Sequence, residues 1–445
     1  VVPDVGNRGD AWIGTLAIMI VSGAWMGVLI AGGTMRMLQF IAWIFIYVFF
    51  GLAITVQLRS GQLSGTTPDL NPALDWPTVG VIVIGIVAFG TGIAVESVRS
   101  RGHAPASRPV APRRAAVLVV VGLGFVVYTM SKVGLGVLFT SREAHDVVFA
   151  QVYPDPSTGA IIHALGIWPV VVGSQALVQW ARSRHGADAG ARRDRFRARA
   201  TAIVAALVEL TYVNPISSAR YVFGTVWGSY LAPLNLFRTR VSTAMTMLGV
   251  VAAFILLFPI ADAFRATTSN VTITRAGFFE EYEVNGDYDS FGQVSNAIRV
   301  VSEGGLTWGR QFLGVLLFFV PRTIWSSKPT DTGILLAERR GYSFSNLSAP
   351  LWAEGYINFG VVGVVVLFFF VGLLVQRLDA QGAAALRLGG AAALPASILP
   401  FYVFILMRGS LLQATGSLVV MIASMWFVRE RDPRASWRTR RRRRS

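Results

Sequence analysis

Leu351-Trp352-Ala353-Glu354-Gly355-Tyr356-Ile357-Asn358-Phe359-Gly360 runs without a break into VVGVVVLFFFVGLLV, residues 361–375. About 20 apolar residues cross the hydrocarbon core of a bilayer, so 351–376 reads as a membrane-spanning helix with one carboxylate, Glu354, a turn inside it. The segment before it, 321–348, is polar and carries Arg322, Lys328, Asp331, Glu338, Arg339 and Arg340. Charge this dense is costly beside a membrane unless it has a task there.

The rest of the chain agrees. Hydrophobic residues make up 53% of it, charged residues 14%, and the mean hydropathy is +0.54. Soluble domains carry about 25% charge, so the composition specifies an integral membrane protein. The absence of cysteine removes disulfides, thiolate metal sites and cysteine nucleophiles. His103, His145, His163 and His185 share no ligand spacing, which argues against a histidine-built metal centre. The net charge is +16, and all basic residues but Lys132 and Lys328 are arginine. This charge lies in short loops and the tail, where it sets topology and meets anionic lipid. No nucleic-acid-binding motif accompanies it. Val1 to Asp10 carry neither a charged n-region nor a cleavage site, so no signal peptide is expected.

Hydropathy gives spans near 11–33, 37–58, 77–98, 116–138, 160–180, 200–216, 219–237, 241–262, 351–376, 391–408 and 412–428, about eleven in all. Three segments are strongly basic: 99–114, 181–199 and the tail ending in Arg440 to Arg444. The positive-inside rule makes them cytoplasmic, and alternation then puts the N-terminus, 59–76, 139–159 and 263–350 outside. Phe312 to Trp325 is apolar but only about 14 residues long, too short to span. It is read as a re-entrant or interfacial helix, which protein or water must cover. The expected organisation is therefore 1–262 with spans 1–8, an external loop 263–350, spans 9–11 over 351–428, and a basic cytoplasmic tail 429–445.

Pro321-Arg322-x-x-Trp325-x-x-Lys328-Pro329, a Ser/Asn-rich gap and Ala353-Glu354-Gly355-Tyr356-Ile357-Asn358-Phe359-Gly360 together resemble the Wzy-type oligosaccharide repeat-unit polymerases of O-antigen and capsule synthesis. The resemblance covers about forty residues. It implies an all-α, GT-C-like polytopic fold in a bacterial plasma membrane and a glycosyltransferase acting on its outer face. Donor and acceptor would both be polyprenyl-pyrophosphate-linked oligosaccharides, transfer would be inverting and metal-independent, and no cofactor is implied. Besides membrane lipids, a chain-length regulator is the further partner the resemblance allows.

That chemistry needs cations for a pyrophosphate leaving group and a carboxylate or histidine to take the acceptor proton. Arg322 and Lys328 match the motif and suit a turn gripping a diphosphate, or else an anchor at the headgroup boundary. Arg220, after the break Asn214-Pro215, and Arg408, in the outer turn between the last two spans, are further phosphate candidates, as is Arg299. Tyr356 and Asn358 join them from the motif itself. Glu354 is the leading acid/base candidate, or else the partner of one of these arginines; Asp289 is the alternative carboxylate. Lys132 and Glu209 fall within spans and could pair.

Two other classes fit the same composition. One is a different polyprenyl-phosphate-dependent or O-antigen-ligase-like glycosyltransferase. Asp69 and Asp75, the only acids of the first external loop, lack the adjacent spacing of its metal-assisted variants. The other is a flippase for lipid-linked sugars, for which broken helices such as that at Asn214-Pro215 are a hint.

Overall fold

The computed structural model describes residues 8–99, 108–183, 189–234, 236–257, 282–283, 285–344 and 347–430. The terminal arginine run and most of 263–284 at the start of the expected loop lie outside these residues. Among the described residues the protein is all-α. In chain order the helices are α1 (Trp12–Gly32), α2 (Met37–Ser60, with a π-helical middle), α3 (Asp75–Arg99), α4 (Pro112–Val133), α5 (Arg142–Val152), α6 (Pro156–Ser183), α7 (Ala189–Tyr212), α8 (Arg220–Ser229) and α9 (Arg240–Ala252). After residue 285 come α10 (Ser290–Gly304), α11 (Arg310–Leu316), α12 (Thr332–Arg340), α13 (Leu351–Leu388), α14 (Ala393–Arg408) and α15 (Leu411–Phe427).

Among the described residues six helices, α1, α2, α3, α4, α6 and α13, are long and apolar enough to cross a membrane; α9, α14 and α15 are shorter and apolar. Outward faces expose Val28, Val120, Ile203, Val241, Val362 and Phe370. Contiguous apolar surface of this kind is stable against hydrocarbon and not against water. Among the described residues two large apolar clusters form most of the interior, beside a small third one of Ala297, Val300, Leu336, Ala353 and Ile357. The first is centred on α2, which is almost wholly buried between α1, α3 and α13. The second gathers α4, α6, α7, α14 and α15. Glycines let backbones touch where these helices cross: Gly92 of α3 meets Gly372 of α13, and Gly173 of α6 meets the carbonyl of Ala115 on α4.

The segment 351–376 departs from a single straight span. Phe359 (φ −143°, ψ 21°) and Gly360 (φ 62°, ψ −147°) break the helix. The ring of Trp352 lies 4.0 Å from that of Phe368. In a straight helix their Cα atoms would sit about 24 Å apart along the axis. Gly355 likewise lies against Gly363 and Val364. The chain therefore folds back, with a short arm over 351–358 lying along a long arm over 361–388. Every residue of the short arm except Tyr356 is buried. The chain thus folds back on itself here, while over the expected 312–325 α11 stops at Leu316 and the chain continues in turns. The expected span 219–237 is helical only over Arg220–Ser229 before it continues in turns.

Gly360 occupies a backbone region that is nearly glycine-only, and a Cβ there would meet nothing closer than 3.8 Å. Its substitution thus tests strain alone. Gly360→Ala is expected to cost about 1–3 kcal/mol and lower the thermal aggregation midpoint in detergent. Gly224→Ala, in an open helical site on α8, should not lower it.

Candidate functional site

A cavity of about 310 Å³ opens where α6, α8, α14 and the start of α15 meet the segment around 286–289 and 347–348. Its polar wall holds Arg142, His163, Asp287, Asp289, Ser348, Arg408, Ser410, Gln413 and Ser417, and Trp168, Tyr221, Tyr402 and Phe344 give it aromatic surface.

Asp287 organises this site. Its carboxylate pairs closely with Arg220 through Oδ2 and accepts from Arg408 Nη2 through Oδ1 at 3.2 Å. Its backbone carbonyl also accepts from Arg408 Nε (3.3 Å) and Nη2 (3.0 Å). The short helical turn over Gly286–Tyr288 aims both groups, and Asn285 caps that turn by accepting from the Asp287 N–H. Arg408 is further flanked by the rings of Phe49 and Tyr221, each 5.9 Å away. Its Nη1 has no protein acceptor among the described residues, so a largely buried guanidinium keeps one edge for an anion in the cavity.

Asp289, two residues on, is 2% exposed. Ser348 donates to it twice, from Oγ at 2.6 Å and from the backbone N–H at 3.2 Å. Burial pushes its carboxyl above the ordinary aspartate range, against the pull of Arg408 and of the Ser348 bonds. This carboxylate touches the cavity, is poorly solvated and lies near a cation, which equips it to take up a proton.

Glu354 sits behind the wall. It is 1% exposed and pairs with no cation. Thr332 Oγ1 donates to Oε2 at 2.8 Å, while Ser410 Oγ (3.1 Å) and the Leu411 N–H (3.0 Å) donate to Oε1. Ser410 is the N-cap residue of α15 and makes no side-chain cap of its own, so Glu354 caps that helix from α13. Asn358 also builds structure: its amide donates to the Glu354 carbonyl, and its oxygen accepts from Thr307 Oγ1 and the Gln311 N–H. Tyr356 packs half-buried against the core.

The motif cations stand apart from the cavity. Arg322 donates to the carbonyls of Lys328 (2.8 Å) and Pro329 (3.2 Å), and Lys328 Nζ to those of Phe318 (2.6 Å) and Val320 (3.0 Å). Arg310 adds a bond to the Ser327 carbonyl. Together they clasp the turns of 317–329. Arg299 lies on the exposed face of α10, paired with Glu303 at 2.7 Å. Lys132 is exposed while Glu209 is buried with neither oxygen hydrogen-bonded, so they do not pair.

Of the residues expected from the sequence, the cavity thus gathers Asp289 and Arg408, with Arg220 behind Asp287. It adds Asp287, Arg142, Gln413 and Ser410, and it brings in His163, which the sequence offered only as one of four histidines without ligand spacing. Only Asp287 left a trace in the sequence, as one of two acids flanking Tyr288.

Glu354 generates a test. Glu354→Gln retains an acceptor for Ser410 and Leu411 and offers its NH2 to the Thr332 hydroxyl, which can reverse its role. It should fold like the parent. Glu354→Ala orphans the buried donors and should cost about 1–3 kcal/mol for each, read as a lower melting midpoint and poor yield. Comparisons with protein-family models, characterised proteins and solved structures return no match to this chain, so its functional reading rests on the chemistry of the cavity.

Proposed function

We propose that this protein is a membrane glycosyltransferase that joins polyprenyl-pyrophosphate-linked oligosaccharides on the extracytoplasmic face, as the repeat-unit polymerases its motif resembles do. The observation that carries the reading is the cavity in which Asp289 and the free edge of Arg408 face one space. Asp289 takes the proton of the acceptor hydroxyl while that oxygen bonds to the anomeric carbon of the donor. The bond from that carbon to the pyrophosphate breaks, and its electron pair leaves with the lipid pyrophosphate. Arg408 Nη1, with Arg142 on the same wall, receives the charge. A single displacement of this kind inverts the anomeric centre.

The cluster of Arg220, Arg408, Asp287 and Asp289 is neutral with both aspartates ionised. Protonation of Asp289 makes it positive as the leaving group becomes more negative, so base and anion site act in concert. Trp168, Tyr221 and Tyr402 offer flat faces to sugar rings. Glu354 acts in this reading as a positioning residue, through Ser410.

Helix ends support the orientation read from charge. Arg8 pairs with Asp75 at one end of the bundle, while at the other Arg114 binds the carbonyls of Phe427 and Arg429 and Ala391 bonds to Arg108. In this reading the chain crosses the bacterial plasma membrane about eleven times, the seventh time over 219–237. The basic loops are cytoplasmic and the cavity faces outside.

The deciding experiment uses the purified full chain with polyprenyl-pyrophosphate-linked oligosaccharide, without nucleotide sugar and with chelator. A ladder of longer lipid-linked glycans is expected, whereas movement of glycan between leaflets without a ladder would establish a transporter instead. Asp289→Asn should reduce the rate by about 10²–10⁴-fold, and Arg408→Gln should also slow it. Because the base must be ionised, activity should fall as pH drops through a pKa above the ordinary aspartate range. That acid limb should vanish from the residual rate of Asp289→Asn.

A further inference from the structure

At the far end of α6 from the cavity just described lies a second one, of about 530 Å³. His163 and Ala164 line the first, and Arg182 lines the second. Nineteen residues of helix separate His163 from Arg182, about 28 Å of rise, close to the hydrocarbon thickness of a bilayer. The segment 220–237 makes the same traverse, with Tyr221 on the first cavity and Phe237 on the second. The two cavities therefore occupy opposite boundaries of the membrane domain.

The second cavity is lined by Arg182, Arg238, Arg240 and Arg387, and no aspartate or glutamate contributes to its wall. Among the described residues none of these guanidiniums has a carboxylate within 4.0 Å, and only Arg182 makes a hydrogen bond, to the Pro233 carbonyl. The nearby buried carboxylate, Asp379, is engaged by the backbone N–H groups of Leu38 and Gln39. The N-terminus of α9 opens here through Thr239 and adds the positive end of a helix. Gly33, at φ +56°, brings the 33–35 turn so close that a Cβ would lie 2.8 Å from Arg240 Cβ, which holds Arg240 at the rim.

Four like charges around one concavity repel each other, and no carboxylate among the described residues pairs with them. We infer that this cavity is an anion site for a phosphate-bearing group, held by bidentate arginine contacts at the basic face of the molecule. Its volume exceeds that of a single phosphate and lies within the range of ligand pockets, which suits a headgroup or a pyrophosphate with its substituent. Phe237, Leu386 and Met35 on the same wall would accept the apolar part of such a ligand.

The test compares the parent chain with the double variant Arg238→Gln/Arg240→Gln, and separately with Arg387→Gln. All three side chains are exposed and free of protein hydrogen bonds, so folding does not depend on them. In neutral detergent without added anion the double variant should melt no lower than the parent, because repulsion is relieved. Inorganic pyrophosphate is then titrated, and phosphatidylglycerol is compared with phosphatidylcholine in nanodiscs, with melting midpoint and native mass spectrometry as readouts. The parent should gain stability and the variants should bind roughly ten-fold more weakly or worse. A response to phosphatidylglycerol alone identifies a lipid headgroup, and a response to pyrophosphate in detergent identifies a free phosphate group. Equal gains in parent and variants, or no gain from either anion, overturns the inference. The first cavity is unaltered in these variants, so this outcome is independent of glycan transfer.

Discussion

Helix α13 carries a buried carboxylate near each end, and each satisfies the N-terminus of another helix. Glu354 takes the Leu411 N–H and the Ser410 hydroxyl at the start of α15; Asp379 takes the Leu38 and Gln39 N–H groups at the start of α2. Neither helix has a side-chain cap of its own. A helix that begins inside protein or lipid leaves N–H groups without partners, and each such orphan is costly where water cannot reach it. Since α2 belongs to one apolar cluster and α15 to the other, α13 joins the two halves of the protein by completing both. The hairpin at Phe359-Gly360 is what lets one helix do this, because it turns Glu354 away from the axis of the long arm and toward Ser410.

From that frame the cavity inherits its rigidity. Ser410 is both a ligand of Glu354 and part of the wall, and Arg408 ends the helix immediately before it. Asp287 then ties α8, through Arg220, and α14, through Arg408, to the turn over 286–288. In the proposed transfer, charges fixed in this way would not have to reorganise as the leaving group forms. An arginine on a mobile loop would have to be ordered by the substrate first.

The helical, membrane-embedded class was legible at once, because hydropathy acts locally and over whole helices. The fold-back was not. Phe359-Gly360 lies inside an uninterrupted apolar run, and hydropathy is blind to one glycine at positive φ. The segment 219–237 was legible as apolar and not as irregular, since turns packed between helices keep the same composition. For the site, Asp289 and Arg408 stood out as charges near the outer boundary. Glu354 and Arg322 stood out more, and for a sound reason: a charge in an apolar context needs a partner. The partners proved to be hydroxyls, backbone N–H groups and carbonyls, which a one-dimensional reading cannot assign because every residue has them. Asp287 was hidden for the opposite reason, as one acid of several in an acidic segment.

Counting donors separates the arginines better than position or motif does. A guanidinium has five N–H groups in a rigid fork, and its reach for a ligand depends on which edges the protein has filled. Arg322 donates to two carbonyls of its own loop, which leaves it a clasp with some residual capacity at the surface. Arg220 is buried against Asp287. Arg408 is filled on Nε and twice on Nη2, and its Nη1 has no acceptor among the described residues. The arginines at the opposite face are nearly unfilled. Arg322 and Arg408 thus each keep an open edge, and the arginines around the second cavity keep the most. Tight protein bonds fix geometry, whereas open edges attract anions, so capacity for ligands is greatest where several open guanidinium edges share one cavity.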